Sequence, residues 1–434
     1  MAKRNKKQAR KIRNLVVLCS ICAVILTVST YAWFIGMKTV NVSTFDIDIA
    51  TTEGLFLSMD GAKWYYQLDA KGSTAYEGHT NTWADTGLIP MSTVGDMDPA
   101  ASRMKLFEKA SFTTTPGGYR LLTSRVENYV TAADDTKLMQ GKGYVAFDLF
   151  IKNLSGTEYY TTNDPLNEEA IYLTTNSSVT VASDGEKNTG IENSVRVAFA
   201  QIGRVKADTT DAGNITAITC SDVQKGEGQV QVTGICRNAQ IWEPNDTKHV
   251  QNAINWYNTS CLARKAEGTD LTKPESYDIA KTATCGTVAD GTANKTYAVS
   301  RAITVADNVD IYDGETLNTY TSNTVDYKTV YKDASDKSQY KLVDFPYFTD
   351  TMKNLKGTER PEFMRLAPNS ITKVRVYVYI EGQDVDNYDF ASLGKKISIN
   401  FGFTKERYTE TDVDYSGNPS TDITPTSGDE VQFN

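Results

Sequence analysis

Two histidines are all this chain offers for imidazole chemistry, and they stand far apart in unlike surroundings. His79 lies in a polar, Gly-bearing stretch and His249 in a segment of helical periodicity, with no H-E-x-x-H pair around either. A zinc centre made of two imidazoles one helical turn apart, with a glutamate between them as general base, is therefore not encoded. Neither a G-x-S-x-G nucleophile elbow nor a phosphate-cradling Gly loop occurs. The one oxygen-rich constellation is Asp384, Asp386 and Asp389, following Glu381. Carboxylates spaced this closely in a loop can hold calcium, although the Gly and closing Glu of an EF-hand loop are missing. Tyr377 and Tyr379 lie on the polar face of a strand pattern, where they can either bind sugar or simply cover a sheet. No catalytic residue is assigned, and the expectation is a protein that is not an enzyme, with calcium the single candidate cofactor.

Cysteine use points to compartment rather than catalysis. Cys19 and Cys22 have C-x-x-C spacing but lie in an apolar leader, where nothing electropositive would stabilise a thiolate. Cys220, Cys236, Cys261 and Cys285 fall in one segment and allow two disulfides outside the cell, in any of three connectivities. Charge agrees with export. The chain carries 45 basic and 54 acidic residues, and without the leader's seven basic residues 38 remain, a net charge near −16. Such a balance excludes the counterion displacement on which nucleic-acid binding rests.

The elements that must position any site begin at the N-terminus. Lys3, Arg4, Lys6, Lys7, Arg10, Lys11 and Arg13 come without a single acid, and Leu15 to Val28 is apolar. About fourteen residues suit a signal-peptide core and fall short of the roughly 20 that span a bilayer. Thr30 and Ala32 then form the small-residue pattern read by signal peptidase, leaving Trp33 as first mature residue. The alternative is a retained anchor, with Tyr31 to Met37 extending the run and the aromatics at the interface, which would be the only contact with membrane.

Beyond Lys38 the pattern is that of strands. Val40, Val42, Phe45, Ile47 and Ile49 alternate with polar neighbours and slip phase near Ser43-Thr44, as at a bulge. Leu55 to Met59 and Lys63 to Tyr65 flank an Asp60-Gly61 turn. Asp98-Pro99 opens a short expected helix to Ala110, and Asn245 or Asp246 is expected to cap another containing Val250, Ala253, Ile254 and Tyr257. Half-buried strands are expected at Tyr144 to Lys152, Ser194 to Ile202, Lys373 to Ile380 and Ile397 to Phe401. The sum is a mainly β protein, a jelly-roll-like antiparallel β-sandwich with a few short helices. Its expected parts are a signal peptide or anchor at 1–32, a sandwich core at 33–203 and 343–406, a loop-rich insertion at 204–342 holding the four cysteines, and a flexible acidic tail at 407–434.

The junction Ser29-Thr30-Tyr31-Ala32-Trp33-Phe34, followed by β pattern to Ile49, resembles the SipW-type leader and first strand of Gram-positive surface proteins of the TasA and camelysin group. The segment Y-V-Y-I-E-G-Q-D-V-D from Tyr377 to Asp386, with Ile397 to Phe403, resembles their closing strands. The resemblance implies a jelly roll and, for some members, a biofilm-matrix filament subunit; camelysin itself is described as a metalloprotease. Processing after Ala32 would free Trp33, Phe34, Ile35, Met37, Val40 and Val42 as an apolar strand able to complete a neighbour's sheet, and head-to-tail addition of that kind builds filaments. Internal pairing of the same strand fits the same pattern. The expected function is a secreted, self-assembling structural protein of the cell surface or extracellular matrix. An adhesin or carbohydrate-binding module is the alternative, and a camelysin-like peptidase a more distant one.

Overall fold

The computed structural model describes residues 41–49, 54–69, 87–108, 143–223, 230–253, 255, 347–382, 384, 386, 387 and 396–405, with further short strands between 111 and 139 and between 303 and 344. The leader, the processing residues Thr30, Ala32 and Trp33, and the tail lie outside them. So do His79, Cys261, Cys285 and Asp389.

Two sheets pack face to face. The smaller holds β1 (Asn41–Ile49), β3 (Gln67–Asp69), β6 (Glu169–Leu173), β7 (Ser178–Val181), β11 (Met364–Leu366) and β13 (Lys396–Thr404). The larger is built on β2 (Leu55–Ser58), β5 (Val145–Asn153), β8 (Val195–Lys206), β9 (Gln240–Glu243), β10 (Phe348–Thr349) and β12 (Ser370–Glu381), and β4 (Pro90–Ser92) extends it. Its centre is β5, β12 and β8 side by side and antiparallel, from Asn153↔Ser370 to Val145↔Val378 on one edge of β12 and from Lys206↔Ser370 to Val195↔Ile380 on the other. Alternation drives the assembly: Phe147, Leu149, Val197, Phe199, Val374, Val376 and Val378 face Ile171, Val179, Ile397, Ile399, Phe401 and Phe403 across one dry core. Phe199 meets Phe401 edge to face, centroids 4.9 Å apart and planes at 89°. The expected bulge in β1 is present as a register shift between Val42 and Thr44.

Among the described residues the half-buried pattern is clearest in the smaller sheet, where Lys396, Ser398 and Asn400 of β13 are partly exposed and Ile397, Ile399 and Phe401 are buried. The larger sheet is covered on both faces. Met91, Met97, Met104, Leu106, Ile215, Ile218, Val232 and Ala239 form an outer layer over Ala146, Ala198, Ala200, Tyr377 and Tyr379. Two expectations are corrected by this layer. The helix expected over Pro99 to Ala110 stops within one turn: Asp98 accepts from the Ala100 and Ala101 N–H groups, but Ser102 turns to φ 52° and Arg103–Met104 pairs back with Met97–Asp98. Burial of Met104 and Leu106 decides the contest against local capping. The insertion expected from residue 204 cannot begin there, because that boundary cuts β8, and α1 (Ala212–Thr216) and β9 belong to the sandwich. At Gly203 the outer layer presses close to β8: a Cβ there would sit 2.6 Å from the Thr219 carbonyl oxygen.

Candidate functional site

The first strand is where the expected assembly chemistry can be examined. β1 runs parallel to β13, the last described strand, and pairs with it from Asn41↔Lys396 to Ile49↔Phe403 across the register shift at Val42/Thr44. On its other side, among the described residues, it pairs only with β3, at Asp46↔Asp69, Ile47↔Leu68 and Asp48↔Gln67. Val42 and Ile47 are buried in the main core, which fixes the face that β1 presents. Just beyond β1 the chain passes residues 50–54 to enter β2 in the opposite sheet, turning at Gly54 with φ 68°. β1 therefore fills a slot whose long wall is β13 and whose floor is the sandwich core. Without it, the β13 edge would expose unpaired N–H and C=O groups, the condition under which another strand adds. Of the expected assembly strand, only Val42 lies among the described residues, and it pairs within its own sheet.

A second constellation, closed to solvent, gathers at the end of the larger sheet. Arg196 in β8 donates to Glu243 of β9 at 2.9 Å and to Asp384 at 2.8 Å, all three side chains fully buried. Its other guanidinium nitrogen donates to the Asn193 and Val195 carbonyls. Burial alone would lower the Arg196 pKa; Glu243 and Asp384 outweigh it and hold the guanidinium well above its ordinary range. Beside it Glu381 accepts from the Tyr347 hydroxyl at 2.8 Å and from Ser92 Oγ. Burial, then Glu381, pushes the Tyr347 hydroxyl pKa up.

Two of the three aspartates proposed as calcium ligands, Asp384 and Asp386, belong to this network; the third, Asp389, lies outside the described residues. Asp384 is bound to Arg196 and accepts the Asp386 N–H at 2.7 Å. Asp386 meets His249 Nδ1 at 2.6 Å and accepts the Val250 N–H at 3.0 Å. Burial lifts the Asp386 pKa to about 6, with Asp384 adding to the rise and His249 opposing it. Among the described residues no group of three or more His, Cys, Asp or Glu side chains is placed to hold a metal. Gly190, at φ 81°, lets the neighbouring turn approach, since a Cβ there would meet Asp386 Oδ1 at 2.7 Å.

Tyr377 and Tyr379 are not on an open face. Both are fully buried under the outer layer, and the Tyr377 hydroxyl accepts the Met104 N–H at 3.0 Å. A sugar cannot stack on them without removing that layer. Asn245 does not cap a helix: it has φ 57° and its amide bonds the Val179 carbonyl, while helical backbone begins at residue 251. Cys220 and Cys236 form a disulfide, Cα atoms 5.3 Å apart, closing the outer layer over the sheet. Arg196, Glu243 and Tyr347 escaped the sequence reading, although an Arg flanked by Val195 and Val197 in mid-strand is the kind of signal that marks a covered polar contact.

No protein-family model, no curated protein and no solved structure matches this chain.

Proposed function

We propose that this chain is an exported structural protein of the cell surface or extracellular matrix, whose copies assemble into filaments by lending their first strand to a neighbour. The observation that carries the reading is the setting of β1: the first described strand, parallel to the last described one, and held on its far side, among the described residues, only by the short β3. In exchange, each β13–β1 ladder broken within a chain is remade between chains, so the bonds nearly cancel and connectivity decides the outcome. The TasA-like leader and closing strands favour the same reading, with signal peptidase acting at Ala32 and residues from Trp33 onward lengthening the lent strand. The buried Arg196 network serves this role by holding the end of the larger sheet rigid. The reading is tested by expressing a variant that begins after Thr44 and imaging secreted material by electron microscopy. Monomers are expected; filaments of normal length from that variant would overturn it.

A further inference from the structure

Where β5 and β13 end, an amine, a carboxylate and a carboxamide share one oxygen atom. Asn153 is the last residue of β5, Glu169 the first of β6, and Lys405 follows β13 directly. Glu169 Oε2 accepts from Asn153 Nδ2 at 2.8 Å and lies 3.2 Å from Lys405 Nζ. The other carboxylate oxygen accepts from Ser155 Oγ, which fixes the carboxylate between its neighbours. Asn153 is fully buried, and its Nδ2 also donates to the Ala367 carbonyl at 3.1 Å. Two acceptors on one side settle which end of the amide carries nitrogen. Its Oδ1 is buried and receives no hydrogen bond among the described residues.

We propose that Lys405 and Asn153 are joined by an intramolecular amide bond formed by the folded chain itself. Glu169 is the proton carrier. Its carboxylate first takes a proton from the Lys405 ammonium. The neutral Nζ then attacks Asn153 Cγ, forming the C–N bond and placing the carbonyl electron pair on Oδ1. Glu169 returns the proton to Nδ2, the C–N bond to Nδ2 breaks and the carbonyl reforms; the second proton of Nζ, now acidic because that nitrogen is acylated, passes through Glu169 to the departing ammonia, which leaves as ammonium. Atoms and charge balance with no oxidant, cofactor or second substrate. Contact of one Glu169 oxygen with both nitrogens is what a proton carrier between nucleophile and leaving group requires. Fixing all three groups on a rigid sandwich supplies the proximity. The step need happen only once per molecule, so slow chemistry suffices. The bond would tie the last strand of the smaller sheet to β5 of the larger, fastening the wall against which β1 docks. It does not depend on assembly, because it is read on a single chain.

The test is the intact mass of the reduced and alkylated full chain, followed by peptide mapping. The expected mass is one ammonia, about 17 Da, below that calculated for the same chain with every cysteine alkylated, with a branched peptide joining Asn153 to Lys405. Lys405→Arg and Glu169→Gln should restore the full mass. A wild-type chain at full mass, or an ammonia loss mapped to any other pair or to a cyclised residue, overturns the proposal without requiring either variant to fold.

Discussion

Arg196 is the residue on which the end of the larger sheet turns, because it compensates two buried carboxylates at once. Arg196→Met should strand Glu243 and Asp384 and cost about 3–5 kcal/mol, measured as a lower urea midpoint at unchanged slope. Two aspartates should give opposite pH signatures. Burial raises the Asp148 pKa, but Arg375 and Lys373 outweigh it and hold the carboxyl below 3.8. Its unfolded form therefore binds the proton more readily, and its contribution to stability is present above that value and lost as pH falls towards the folded one. Asp386, lifted from 3.8 to about 6, takes up a proton in the folded state first, so its contribution grows as pH falls through that window. Asp386→Asn should remove the rise between about pH 6 and pH 4, read from urea midpoints across the range; an unchanged rise would place the proton elsewhere. Little of this was legible in the sequence. Arg196, Tyr377 and Tyr379 alternate with valines as exposed residues do, and only the layer brought in from distant segments distinguishes a covered polar face from an open one. The pairing of Asp386 with His249 joins positions far apart in the chain, which no local spacing displays.

The strands were legible because their apolar period is strong and unbroken. Val374, Val376, Val378 and Ile380 face the core as the alternation requires, and the phase slip in β1 is a real bulge. The outer layer was not legible, since short runs with Met, Gly and Pro carry no period and fold only by covering the sheet. That layer owes part of its hold to one disulfide. Reducing Cys220–Cys236, with a sequence separation of 16, should cost about 3 kcal/mol and lower the melting temperature, a loss matched by replacing both cysteines with serine. In β1, Ile47→Ala removes a fully buried side chain and should cost about 2–5 kcal/mol in the monomer. If the same strand is lent between copies, this substitution should weaken assembly as well, seen as a higher concentration for filament onset by light scattering.

For the whole molecule, the question is which copy's β13 receives β1. A chain's own strand, tethered through residues 50–54, competes at an effective concentration on the order of millimolar. Assembly should therefore favour crowded surfaces and be seeded by preformed ends. The fold was readable from sequence as a mainly β sandwich, whereas the partner of β1 depends on connectivity, which residue pattern leaves open. The most direct measurement mixes two single-site variants, Thr44→Cys and Ser398→Cys, whose positions pair across β1 and β13. Under mild oxidation of assembled material, strand exchange predicts a disulfide between the two variants at those positions, identified by peptide mass spectrometry. Filaments that form normally yet show this link only when both substitutions lie in the same chain would contradict it.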